Sequence, residues 1–342
     1  MFNIQDIRYL HIEMSSLCNA RCPLCPRNLF GYPYNAGYAE TNLEFSLVKQ
    51  RFSPEFISQL RGMLINGNFG DFLLNPEAEQ ILTYFREHNP RMNILISTNG
   101  SARNADFWKN LGKLRLNIEF CLDGLEDTHH LYRQDTDWSK IINNAKIYIE
   151  AGGMAMWKMI KFSHNEHQIE QCKNMAADLG FDRFVLTDHG RDNGPVFNRD
   201  GSRSHSIGKG TPNFENAKDA ISWYEKSSMN YPNFDTSVEP ICKVKKEQSI
   251  YIAADGKVYP CCWLGMNPHT YDKGFLGIVN KYTMLYMKNN DLHDHTLEQC
   301  LEWLWEVEKS WKIDSYDKGR LLQCDMNCNP CTLEHLRNEE VL

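Results

Sequence analysis

Three cysteines fall within eight residues near the start of the chain: Cys18, Cys22 and Cys25, in "SSLCNARCPLCPRN" (Ser15–Asn28). Their thiolates are soft ligands, suited to zinc or to iron–sulfur clusters. A structural zinc wants a fourth ligand, and His11 could supply it only if its strand folded back. An iron–sulfur cube also usually takes four thiolates. With three, one iron stays open, and that is useful only if something else binds it. A second group lies far downstream. "CDMNCNPC" repeats the spacing with Cys324, Cys328 and Cys331, preceded by Cys242, Cys261 and Cys262. Cys172 and Cys300 sit in helical patterns and read as buried core thiols.

The compartment bears on this chemistry. The N-terminus "MFNIQDIRYL" lacks the basic-then-apolar pattern of a signal peptide. The expected location is cytoplasmic, where thiols stay reduced. Twelve cysteines then point to metal or redox chemistry rather than to disulfides. No run approaches the ~18–20 apolar residues of a membrane span. Lys and Arg total 37 against 44 Asp and Glu, a net charge of −7, so nothing favours nonspecific attraction to nucleic acid. The chain has 342 residues, 42% of them hydrophobic, enough for one large domain and a smaller one.

The elements that must hold these thiols can be read from pattern. Strand-like runs occur at Tyr9–Ser15, Met63–Gly67, Met92–Thr98, Leu116–Leu122, Met154–Phe162 and Asp182–Thr187. Helix signals alternate with them. Ser53-Pro54 and Asn75-Pro76 each place a cap residue before a proline suited to the first turn. "DWSKIINNAKIYIEAGG" and "HQIEQCKNMAADLG" carry apolar residues on one face and end on glycine. Six βα units predict a parallel sheet with helices outside, an α/β fold too short for a closed eight-stranded barrel. The expectation is an open, partial (β/α)6 barrel over residues 1–188. Residues 189–240, rich in Gly, Asn, Ser and Pro, read as a linker, and 241–342 as a small cysteine-rich domain. Asp255-Gly256 between "SIYIA" and "KVYPC" signals a β-hairpin there. "LEWLWEVEKSW" fits an amphipathic helix with Leu301, Leu304 and Trp305 on a core face.

The triad, its place after the first strand and the loops that follow resemble the radical S-adenosylmethionine enzymes. That resemblance implies a [4Fe–4S] cube on Cys18, Cys22 and Cys25 whose open iron is chelated by S-adenosylmethionine. It implies reductive cleavage to a 5′-deoxyadenosyl radical that abstracts hydrogen from a substrate, with an external electron donor. "NGNFGDFLLNPE" (Asn66–Glu77) is similar to the family's Gly-Gly-Glu-Pro loop, with Gly70 and Asp71 where Gly-Glu is usual. "STNG" (Ser97–Gly100) ends the third strand as in many members, which brings Ser97 and Asn99 to the cofactor. "CLDGLEDTHHLYR" resembles a stretch beginning Ser-x-Asp-Gly and ending in Arg. Asp123 and Arg133 keep that pattern, and Cys121 replaces the serine. Arg133 has the planar fork that binds both oxygens of a carboxylate. Leu24 stands where an aromatic residue often packs near adenine.

The later cysteines resemble the family's auxiliary-cluster extensions, the two-cube SPASM and the one-cube Twitch forms. Gly256-x4-Cys261 fits their opening hairpin. The larger form's spacing is not met, which implies one auxiliary [4Fe–4S] cluster on Cys242, Cys261, Cys328 and Cys331. Cys262 and Cys324 are left outside that set, and four-cysteine zinc satisfies the same spacing. Many relatives with such extensions modify ribosomally made peptides. The expected substrate is therefore a peptide, with a small-molecule dehydrogenase and a non-catalytic zinc protein as alternatives. The sequence leaves no room for a fused leader-binding domain, so a separate leader-peptide-binding partner is expected.

Overall fold

The structure, a computed structural model, describes residues 3–34, 38–188, 193–208, 214–226, 235–270, 283, 285–328 and 339–341. Six parallel strands lie side by side in chain order: β1 (Tyr9–Ile12), β2 (Gly62–Ile65), β3 (Asn93–Thr98), β4 (Asn117–Cys121), β5 (Met154–Ile160) and β6 (Arg183–Thr187). This is the expected partial-barrel sheet. Between the strands run α1 (Phe45–Arg51), α2 (Pro54–Gln59), α3 (Ala78–His88), α4 (Ala105–Lys113), α5 (Glu126–Tyr132), α6 (Trp138–Glu150) and α7 (Ile169–Asp178).

The strands alternate in the way their period of two requires. Ile94 and Ile96, Ile118 and Phe120, and Trp157 and Met159 are fully buried on the helix-facing side. There Phe120 meets Trp108 of α4 and Tyr148 of α6, and Trp157 meets Phe181. Ser97, Glu119, Cys121 and Lys158 point to the other face.

The helix signals are accurate in kind. Ser53 accepts the Phe56 N–H at 3.2 Å, with Pro54 in the first turn, and Asp137 caps α6 through the Lys140 N–H. Asn75-Pro76 departs from expectation. The helix begins at Ala78, because Asn75 is consumed otherwise: it takes the Glu77 N–H and gives its own amide hydrogens to the carbonyls of Met14 and Leu43. Asn75 is thus a buried tie between the first two loops of the barrel.

The downstream chain returns to the same sheet. Two strands follow β6 as an antiparallel hairpin, β7 (Asn193–Phe197) and β8 (Arg203–Gly208), and then comes α8 (Ala217–Lys226). The hairpin signalled by Asp255-Gly256 forms with Gly256 at φ +79°, joining β9 (Ser249–Ile252) to β10 (Val258–Tyr259). β9 pairs parallel with β1, so the hairpin extends the barrel sheet at its first edge. At the far edge β11 (Glu339–Val341) pairs antiparallel with β6. The remaining described helices are α9 (Lys243–Glu247), α10 (Cys262–Thr270), α11 (Leu297–Leu301), α12 (Leu304–Ser310) and α13 (Leu322–Cys328). "LEWLWEVEKSW" is broken between α11 and α12. That break buries Leu301 and Leu304 but turns Trp305 out to 48% exposure, against the expected core face. Cys172 and Cys300 are fully buried, as read. No helix among the described residues is long and apolar enough to cross a membrane.

Candidate functional site

The three N-terminal thiols sit on the loop after β1, at the carboxyl end of the parallel strands, where open α/β sheets bind ligands. The loop is wound tightly. Cys25 donates its N–H to the Cys22 carbonyl at 3.1 Å, and Asn28 donates to Cys25 at 2.9 Å. Arg21 anchors it from below, donating to Asp135, to Gly31 and, at 2.9 Å, to the Phe197 carbonyl of β7. Leu24 and the three cysteines pack against Tyr132, Ile160, Phe162, Val196 and Ile207. The hairpin within 189–240 therefore helps wall the thiol loop.

Two donors reach the sulfurs. Arg133 Nη1 lies 3.8 Å from Cys22 Sγ, and Asn99 Nδ2 lies 3.7 Å from Cys18 Sγ. Burial pushes all three thiols up, Cys25 to about 11, so each is neutral by itself. A metal that displaces those protons would gain the two donors as partners for anionic sulfur. Among the described residues, no three His, Cys, Asp or Glu side chains converge to share one metal ion. A cube gives each thiolate its own iron, so it does not require the three sulfurs to meet at one point. The triad and its donors fit a cube.

The next loops close around this group. Gly70 passes so near the first loop that a methyl group there would collide with the Ser15 carbonyl, and Asp71 donates its N–H to Leu17 at 2.8 Å. The Asp71 carboxylate faces inward. It accepts from Thr98 Oγ1 at 2.8 Å, from Asn99 N–H at 2.8 Å and from Leu73 N–H at 3.1 Å. Its visible part is to lock the second loop to the third and so hold Asn99 beside Cys18. Asp123 acts similarly at the fourth strand. Fully buried, it accepts from Arg133 Nε and from Ile160 N–H, both at 2.6 Å. Asp123 thus aims the guanidinium whose other end faces Cys22.

Ser97 points along the inner face and donates to Glu119, which also takes Lys158 Nζ at 3.2 Å. Cys121 stands in register with Lys158 on the neighbouring strand. Ser97, Asn99, Asp123 and Arg133 are thus gathered on one edge, and Leu24 lines the thiol loop.

One residue escaped the sequence reading. Glu13, 2% exposed, accepts from the N–H groups of Phe69 at 2.7 Å and Gly70 at 2.9 Å, and from the Tyr251 hydroxyl at 2.6 Å. It braces the glycine loop against β9. The available signal was parity: His11 and Glu13 alternate with apolar residues in "YLHIEMS", placing a carboxylate on the inner face.

Of the downstream cysteines, Cys331 lies outside the described residues. The Cys242 and Cys328 sulfurs face each other, and their interaction raises Cys242 and lowers Cys328. The Ile241 N–H donates to the Cys328 carbonyl at 2.8 Å. Cys261, just before α10, lies within electrostatic reach of Cys324 and Cys328.

No protein-family model matches the sequence, and no curated protein matches it. Solved structures do match in fold. The anSMEcpe structure with bound AdoMet and Cp18Cys peptide is 15% identical, with a TM-score of 0.50 over 94% of this chain and 89% of that one. SuiB of Streptococcus suis, bound to precursor peptide SuiA, is 15% identical, with a TM-score of 0.49 over 80% of this chain. The chain spans 64% of that SuiB chain's length, less than two thirds. BtrN in complex with AdoMet and 2-DOIA is 13% identical, with a TM-score of 0.46 over 98% of each chain. The chain has the fold of the radical S-adenosylmethionine enzymes.

Proposed function

We propose that this chain is a radical S-adenosylmethionine enzyme that modifies a ribosomally made peptide. The observation that carries the first half is the pair of donors, Asn99 and Arg133, set against two sulfurs of a three-cysteine loop. When bound, a [4Fe–4S] cube and S-adenosylmethionine supply hydrogen-atom abstraction from carbon. The chain's own residues do the rest. Cys18, Cys22 and Cys25 hold the cube. Asn99 and Arg133 would donate to the Cys18 and Cys22 sulfurs, while Asp71 and Asp123 keep those donors in place. The Gly70 loop, braced by Glu13, offers backbone groups to the amino acid end of the cofactor, and Leu24 offers apolar contact to its base. Cys242, Cys261 and Cys328 hold an auxiliary cluster, with Cys331 as the fourth ligand that the sequence pattern implies.

The peptide half rests on the likeness to anSMEcpe, whose structure holds AdoMet and a peptide. A separate leader-binding protein and an external electron donor complete the proposed system, in the cytoplasm. The test is anaerobic incubation with reductant and S-adenosylmethionine. Formation of 5′-deoxyadenosine is expected, and its absence from an iron-replete sample overturns the enzyme reading. Pull-down from the native host is expected to recover a short peptide or its carrier. Full turnover of a purified small molecule by the lone chain overturns the peptide and partner readings together.

A further inference from the structure

Among the described residues, four thiols lie within electrostatic reach of one another at the downstream site. Cys324 and Cys328 lie four residues apart on α13, so they leave the helix on one side. The Ile241–Cys328 backbone bond brings Cys242 to that side, and packing of α10 against α13 brings Cys261. Cys262, next in sequence, belongs elsewhere. Its carbonyl accepts from Asn68 at 2.8 Å, and its thiol lies in the field of Glu13 and Tyr251 at the barrel edge.

A second observation marks Cys324. The Trp311 indole is 6% exposed, and its Nε1–H has no acceptor in full hydrogen-bonding reach. A buried, unpaired N–H is rare in folded proteins. The Trp311 side chain stands beside Cys324 and favours the charged form of its sulfur. A thiolate bound to iron is larger, anionic and a better acceptor, and N–H donors of this kind tune cluster potentials.

We infer that Cys324 is a ligand of the auxiliary cluster together with Cys242, Cys261 and Cys328, and that the Trp311 N–H donates to its sulfur. The inference rests on the auxiliary cluster of the proposed function. It changes the ligand set expected from sequence, in which Cys331 held that place. Four thiolates leave no open iron, so this cluster carries electrons and does not bind substrate.

The test uses the full chain with Cys18, Cys22 and Cys25 replaced by Ala, so that only the downstream site can load. After anaerobic reconstitution with iron and sulfide, about four irons per chain are expected. Adding Cys324→Ala is expected to leave three irons or fewer, with the electron paramagnetic resonance signal of a three-iron cluster or none. Adding Cys262→Ala or Cys331→Ala is expected to keep four. A four-iron cluster that survives Cys324→Ala and is lost with Cys331→Ala overturns the assignment. So does a colourless protein with one zinc. Trp311→Phe guards against simple misfolding, because it keeps the ring and removes only the donor. It is expected to keep the iron and lower the midpoint potential of the auxiliary couple, and an unchanged potential overturns the Trp311 contact. Failure of the enzyme reading is separable. It appears as absent 5′-deoxyadenosine in the chain with an intact first triad, whatever the downstream site holds.

Discussion

The two cysteine groups use one residue type in different settings. The first sits on a loop at the carboxyl ends of parallel strands, with buried carboxylates behind the donors that reach its sulfurs. The described cysteines of the second come from a helix, a hairpin end and the residue before α9, and the donor proposed for them is an indole N–H in place of a charged fork. Three thiols leave an open iron and four close the shell. Ligand count, more than ligand type, separates a site for chemistry from a site for electrons.

The largest expected effect breaks the comparison outright. Cys18→Ala, Cys22→Ala and Cys25→Ala together should remove about four irons and abolish 5′-deoxyadenosine formation. The matching removal of Cys242, Cys261 and Cys328 should also remove about four irons but leave reductive cleavage of S-adenosylmethionine measurable. If both triple variants behave alike, the two groups are not functionally distinct.

Next comes the charged brace peculiar to the first group. Asp123 is fully buried and pairs with Arg133 at 2.6 Å. Arg133→Ala leaves that carboxylate unpaired and should destabilise the fold by ~3–5 kcal/mol, read as a shifted denaturation midpoint. If Arg133 also meets the cofactor carboxylate, affinity for S-adenosylmethionine should fall roughly ten- to a hundredfold. Unchanged affinity in folded protein would confine Arg133 to positioning.

Glu13 gives a smaller, sharper test. Glu13→Ala orphans the N–H groups of Phe69 and Gly70, at a cost of ~1–3 kcal/mol for a buried donor. The glycine loop packs on the first site and meets the downstream group at the Cys262 carbonyl, through an Asn68 bond in which Glu13 takes no part. Cofactor affinity should therefore weaken while the auxiliary cluster's spectrum stays as it was. A changed auxiliary spectrum would show that the loop couples the two groups through Tyr251.

How much of this could be read beforehand depends on the range of the interactions. The six strands were legible because each is a local apolar run bounded by turn residues. The cysteine loop was legible because its spacing is local too. Asp71, Asn99, Asp123 and Arg133 were visible as residues, but their partners were not. Asp71 meets Thr98 across two loops, and Asp123 meets Ile160 on the next strand. Ser97, Glu119 and Lys158 form one group only through the register of three strands. Asn75 read as a helix cap, yet its strongest ties run to Met14 and Leu43. Cys324 stayed open as a ligand because spacing alone cannot reveal that the fold brings it within electrostatic reach of Cys261.

The smallest expected effect is a slope, and it belongs to the first group's scaffold. His129 is 1% exposed, and burial, then the charges of Arg133 and His130, lowers it from 6.5 to about 3. Its Nδ1 accepts the Asp123 N–H at 3.1 Å, so the neutral ring turns Nε2 to Thr136 Oγ1 at 3.0 Å. Above pH 6.5 the folded and unfolded states are both neutral here. As pH falls below 6.5, only the unfolded chain takes the proton, and stability is lost at up to about 1.4 kcal/mol per pH unit until about pH 3. His11, lowered to about 4 chiefly by burial, acts in the same direction. Glu13 and Asp71 act in the opposite one. Burial raises both, so the folded state binds their protons first and gains stability as pH falls through that window. A raw pH profile mixes these terms, but the difference between wild type and His129→Gln removes all that they share. Urea midpoints between pH 6.5 and 4 should converge as pH falls, because the variant lacks one group that the unfolded chain protonates. Parallel profiles would mean that His129 titrates in the folded protein much as it does in the open chain.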